Sequence, residues 1–145
     1  MARRVYETQE DRNNESVICE IICKHYKVIP IKFPHCMRVD YVLSDETSLP
    51  VLGFLEVKDR QSYSVKSIPD LMLSYNKYQY GCGLSVIFNS PFFIGARMKE
   101  GVYVHRANPN EVVSIKKSGR SVNKRDEKDI ENCVHLPWSA FTKIL

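Results

Sequence analysis

The run Val51-Leu52-Gly53-Phe54-Leu55-Glu56-Val57-Lys58 constrains this chain more than any other segment. It is apolar until Glu56 and then turns charged. A short continuous apolar run is what a strand covered on both faces needs, so 51–58 reads as a central strand of a layered sheet. Residues two apart in a strand share a side, so Glu56 and Lys58 project together while Val57 points the other way, into the core.

Such a strand needs partners and cover. The segment from Thr8 or Asn13 to His25 has helical periodicity. At about 100° per residue, Ile18, Cys19, Ile21, Ile22, Cys23 and Tyr26 share one apolar face, while Glu20 and Lys24 fall on the polar one. Glu15 lies above Cys19, Ile22 and Tyr26, on the core-facing side, where an unpaired carboxylate is costly. Pro30 and Pro34 bracket an extended piece, Ile31-Lys32-Phe33. Residues 38–43 (Arg38-Val39-Asp40-Tyr41-Val42-Leu43) have the β-branched and aromatic content of a strand, followed by a polar turn at 44–48. A loop spans 59–66. Ser67 and Asp70 then form a capping pattern around Pro69, which predicts a helix to about Tyr80 that stops near Gly81. Its polar stripe would carry Asp70, Ser74 and Lys77. Strands are expected at 84–88, from Phe92 through Arg97-Met98, at 101–106 and at 112–116. A charged loop over 117–128 and a short terminal helix within 137–145 complete the reading. The order helix, strands, helix, strands specifies an α/β fold, a central mixed β-sheet flanked by helices, in a single domain over 1–145.

The chain has 145 residues, 43% of them apolar, enough for one domain with a real core. The net charge of +4 permits contact with phosphates without demonstrating it. No run of about 18 apolar residues occurs, and the N-terminus lacks an apolar secretory segment, so the expected location is intracellular, with no membrane partner. Five cysteines (Cys19, Cys23, Cys36, Cys82, Cys133) suggest no disulfide framework. Without Cys-x-x-Cys or His-x-x-x-His spacing, Cys19, Cys23 and the His35-Cys36 pair read as core residues rather than zinc ligands. Gly81-Cys82-Gly83 lacks the lysine of a phosphate-binding loop, and no Gly-x-Ser-x-Gly elbow appears.

The chemistry converges on Asp40, Glu56 and Lys58. A short turn makes their two strands antiparallel neighbours, so Asp40 can lie beside Glu56. Two adjacent carboxylates repel and raise each other's pKa unless a cation separates them. Carboxylate and carbonyl oxygens suit Mg2+ or Mn2+. Lys58 cannot ligate while charged, but it can stabilise a phosphate or position a water. The bland alternative is a strand-end salt bridge, which contributes little.

Asp40, a gap, then Glu56-Val57-Lys58 resembles the core motif of the PD-(D/E)XK nuclease superfamily. The helix bearing Glu15 resembles that superfamily's first core helix, which often supplies another acid. The stretch 14–80 follows its order of helix, hairpin and helix, about half the chain, and the whole chain is similar to small nucleases encoded by bacteriophages. Two features depart from the pattern. Val39 stands where a proline is usual, and the interval from Asp40 to Glu56 is long because of the polar insertion at 44–48. The resemblance implies a restriction-endonuclease-like core and Mg2+ or Mn2+ held by Asp40, Glu56, the carbonyl of Val57 and Glu15. It implies Glu15, Asp40, Glu56 and Lys58 as the catalytic set.

Arg38 and Arg60, each two residues from a site position, are candidates for substrate phosphates, and so is Lys77. Lys116, Lys117, Arg120, Lys124, Arg125 and Lys128 form a basic cluster, diluted by Asp126, Glu127, Asp129 and Glu131, so a solvated loop is the simpler reading. The implied function is metal-dependent hydrolysis of DNA phosphodiesters by a structure-specific endonuclease, a junction resolvase or an exonuclease. It would act as a monomer or homodimer in the cytoplasm, the host's if phage-encoded. The competing reading is a nucleic-acid-binding or partner-binding protein without catalysis on the same fold.

Overall fold

The computed structural model describes residues 8–33, 38–45, 51–119 and 130–145. His35, Cys36, most of the polar turn expected at 44–48, and Arg120, Lys124, Arg125 and Lys128 lie outside the described residues. The chain opens with α1 (Gln9–Tyr26). Thr8 caps it reciprocally: its hydroxyl accepts the Asp11 N–H (3.1 Å) and its own N–H donates to the Asp11 carboxylate (3.0 Å). Ile18, Cys19, Ile22 and Cys23 are its buried face, as the periodicity predicts, but Tyr26, expected on the same face at the helix end, is exposed.

Strands β1 (Ile29–Lys32), β2 (Tyr41–Ser44) and β3 (Gly53–Arg60) follow as an antiparallel set. Pro30 fits because β1 is the sheet edge, where a missing N–H is harmless. After β4 (Asp70–Ser74) and α2 (Tyr75–Phe88), the chain returns as β5 (Phe92–Met98), parallel to β3, and turns back as β6 (Gly101–Ala107). Strands β7 (Ser114–Gly119) and β8 (Ile130–Pro137) precede a 3-10 turn at Trp138–Ala140 and β9 (Thr142–Lys143). The large sheet runs β1-β2-β3-β5-β6-β9, and a second sheet runs β4-β8-β7. This is the mixed sheet with flanking helices that the element order specified.

Alternation along β3 divides the core. Leu55 and Val57 join Val102, Val104 and the α1 face in one cluster. Phe54, with Phe92, Ile94 and Met98, packs on the opposite face against Tyr78 of α2 and against Leu71, Leu73, Val134 and Leu136 of the second sheet. Close approach is built in on both sides. A Cβ on Gly95 would lie 2.3 Å from the tip of Ile22, and one on Gly81 would lie 2.2 Å from the Phe92 ring.

Three expectations are corrected. The capping pattern at 67–70 does not start a helix. Asp70–Ser74 is a strand whose alternate residues Leu71 and Leu73 are buried against β8, and the helix begins at Tyr75. Gly81 does not end that helix. It lies inside α2, where Phe92 leaves no room for a side chain, and residues 84–88 are the helix's last turns rather than a strand. The tail forms a single 3-10 turn and then β9, an edge strand that pairs with β6.

Candidate active site

The pairing of Tyr41 with Leu55 and Val42 with Phe54 brings Asp40 opposite Glu56, one residue before β2 begins. Asp40 therefore stands in a bend and not inside the strand, and β3 continues to Arg60 beyond the Glu56-Val57-Lys58 step. The bend is fixed at two points. The Asp40 carbonyl accepts the Phe33 N–H (2.9 Å). Its side chain takes the next ladder position, Oδ2 accepting the Val57 N–H at 2.8 Å. An acid held by a backbone donor is oriented before any ligand arrives.

Glu56 faces α2 and is completely buried. Lys77 Nζ, from the first turns of α2, lies 3.1 Å from its Oε1, and Lys58 Nζ lies 3.9 Å from the same oxygen. Both contacts are at ion-pair distance and become ion pairs when Glu56 is ionised. Neither carboxylate oxygen receives an aligned hydrogen bond, and Oε2 has no cation contact among the described residues. Buried oxygens without donors are rare, because a native fold satisfies nearly all of them.

The electrostatics follow from that burial. Desolvation pushes the Glu56 carboxyl up to about 8; Lys58 and Lys77 pull it back, and the neighbouring Asp40 adds to the rise. Desolvation likewise brings the Lys58 ammonium down to about 8, against the attraction of Glu56. Lys77 is also desolvated, but Glu56 and Asp40 outweigh that cost and hold its pKa above the ordinary lysine value. The pocket thus holds acids and amines whose charges depend on one another.

Asp40, Glu56, Lys58 and Lys77 come together at this point, with Val57 joined through its backbone. Glu15 does not touch the Glu56 carboxylate. It reaches the site through Lys32, whose Nζ is 3.2 Å from Glu15 Oε2 and 3.8 Å from Asp40 Oδ1. Among the described residues no three acids, histidines or cysteines form one metal-sized cluster. Arg60 adds positive charge near Lys58 and donates to the Asp59 carbonyl (3.0 Å), while Arg38 is exposed in the bend ahead of Asp40. Ser74, expected on a polar stripe with Lys77, turns instead to Glu131 (3.3 Å).

Lys32 is the residue that sequence reasoning passed over. Its signal is an isolated cation in a short apolar strand, but only the pairing of Lys32 with Tyr41 shows that it borders Asp40.

The residues suit a hard divalent cation: two oxygen-bearing acids side by side, one of them with a buried oxygen that no donor serves. No helix of the described residues is long and apolar enough to cross a membrane. A family model described as "Phage putative PDDEXK endonuclease" matches residues 1–144, and the chain belongs to that family. The family is one of nucleases, whose substrate is nucleic acid and which generally use divalent metals. No curated protein matches the sequence.

Proposed function

We propose that this member of the phage PDDEXK endonuclease family is a metal-dependent deoxyribonuclease that uses Mg2+ or Mn2+ to hydrolyse DNA phosphodiesters in the host cytoplasm. The observation that carries the reading is Glu56. It is a fully buried carboxylate with an unserved oxygen, placed opposite Asp40 and faced by two lysines. Burying such a group costs stability, and sites that bear that cost are where function concentrates.

Asp40, Glu56 and the Val57 carbonyl would hold the cation, with Glu15 acting on it directly, through water or through Lys32. When bound, the cation makes water a better nucleophile near neutral pH and offsets charge on the phosphate. The chain's own groups do the rest. The Val57 N–H keeps Asp40 Oδ2 engaged, so the carboxylate does not turn away. Lys77 draws Glu56 toward its ionised, ligating form. Lys58, on the same side of β3 as Glu56, would orient the attacking water or steady the phosphate. Arg38, Arg60 and the flank of α2 would meet neighbouring phosphates, which position the strand without reading its sequence.

The test is cleavage of linear duplex, single-stranded and four-way-junction DNA in Mg2+, Mn2+ or EDTA, with Asp40→Ala and Glu56→Ala alongside. The expected result is cleavage with metal, none in EDTA and none by either variant. The preferred substrate then separates exonuclease from junction resolvase; a resolvase would set two copies on two strands. Cleavage in EDTA, or by both variants, overturns the chemistry. Binding without cleavage under every metal condition supports a protein that binds DNA without cutting it.

A further inference from the structure

Beside the Asp40–Glu56 pair lies a second acidic juxtaposition, and its gap already holds a cation of the chain's own. Lys32 Nζ contacts Glu15 Oε2 at 3.2 Å and Asp40 Oδ1 at 3.8 Å, and it lies 4.8 Å from the centre of the Tyr41 ring. The ammonium is thus held from α1, from the bend before β2 and by a ring face. Asp40 Oδ2 is engaged by Val57, so the oxygen it offers toward Glu15 is the one that Lys32 touches.

We propose that Lys32 is a resident cation that takes the place of a second divalent ion between Glu15 and Asp40, so that the centre loads a single divalent ion on its Glu56 side. The inference rests on the metal-dependent reading above and specifies its stoichiometry. Two carboxylates brought together need positive charge between them. A lysine supplies it from a flexible stem and asks for no coordination geometry. A divalent ion entering the same gap meets like charge a few ångströms away and must first displace it. The two sides of Asp40 differ in kind. Toward Glu56 the nearby amines approach one oxygen and leave the other unserved, whereas toward Glu15 the ammonium spans both acids. Glu15 then acts as a positioning residue that keeps Lys32 in place.

Calorimetric titration of the full chain with Mn2+, in the absence of DNA, tests this without reference to catalysis. Lys32 is 42% exposed on an edge strand, so Lys32→Met and Lys32→Gln should fold, which circular dichroism checks. Wild type and Lys32→Arg should bind one ion. Lys32→Met and Lys32→Gln should bind a second, with an affinity roughly ten-fold or more above any residual second binding in wild type. Adding Glu15→Gln to Lys32→Met should abolish the second ion, and adding Glu20→Gln should not. Wild type binding two ions, or uncharged variants that match its single ion in number and affinity, overturns the role of Lys32 and leaves the metal-dependent reading standing. Wild type binding none overturns both.

Discussion

Leu55 and Glu56 are neighbours on one strand, and both are fully buried. Leu55 enters the cluster with Ile18, Ile22 and Val104 beneath α1, where apolar burial and packing stabilise the fold. Glu56 enters the face beneath α2, where its charge is stripped of water, opposed by the neighbouring Asp40 and answered by Lys58 and Lys77. Because a strand alternates sides, a single residue step separates a side chain that holds the molecule together from one that strains it. The comparison teaches that burial in this fold serves two purposes, which can be broken separately.

The largest expected effect is on the charged side. Glu56→Gln preserves volume and should lower the cleavage rate by roughly a thousand-fold or more while the protein stays folded, as measured on the preferred DNA in Mn2+. Leu55→Ala is the mirror experiment. It should lower unfolding free energy by about 2–5 kcal/mol in urea titration, with the residual folded fraction still dependent on metal. If Leu55→Ala were as harmless as a surface change, or Glu56→Gln unfolded the chain, the two positions would not differ in the way described.

A pH series sharpens the contrast. The Glu56 carboxyl sits near 8 in the metal-free protein, so below that pH it is mostly protonated and must lose the proton to ligate. Mn2+ affinity should therefore rise with pH, by up to about ten-fold per unit below about 8, and then flatten. Leu55→Ala should leave this slope unchanged. A flat profile from about 6.5 to 8.5 would contradict the burial of an ionisable ligand at this position.

The smallest effects compare how tightly each helix sits. Gly81→Ala forces a methyl into the Phe92 ring and should cost about 1–3 kcal/mol, whereas Gly95→Ala meets only the movable tip of Ile22 and should cost less. Gly83 lies in α2 with open space around it, so Gly83→Ala should stabilise by about 0.5–1 kcal/mol. Thermal or urea unfolding of the three variants ranks them.

Much of this was legible in the amino-acid order because it is local. The cap at Thr8, the periodicity of Ile18 to Cys23 and the apolar-then-charged run at Glu56 each follow from residues a few positions apart. The errors lie where the deciding partner is distant. Leu71 suits a helix face with Tyr75 and Tyr78 as well as a strand face with Leu73. What makes them a strand is β8, with Leu71 opposite Leu136 and Leu73 opposite Val134. A strand was expected over the first half of β7, but β8 at the centre of that second sheet went unread because it carries charged and polar residues, Glu131 and Asn132, beside its buried Cys133 and Val134. Gly81 read as a helix stop because its reason, the Phe92 ring, comes from another element. Lys32 was visible as a residue but not as a neighbour of Asp40, since strand register is set by the whole sheet.

The account turns on an ion lodging at the acids of β3 and the bend before β2. Anomalous diffraction from crystals soaked in Mn2+ locates it directly. The account predicts a single strong peak within bonding distance of the Asp40 and Glu56 carboxylates, with Lys32 still between Glu15 and Asp40. A structure with full Mn2+ occupancy elsewhere, and no density between those two acids, would contradict it.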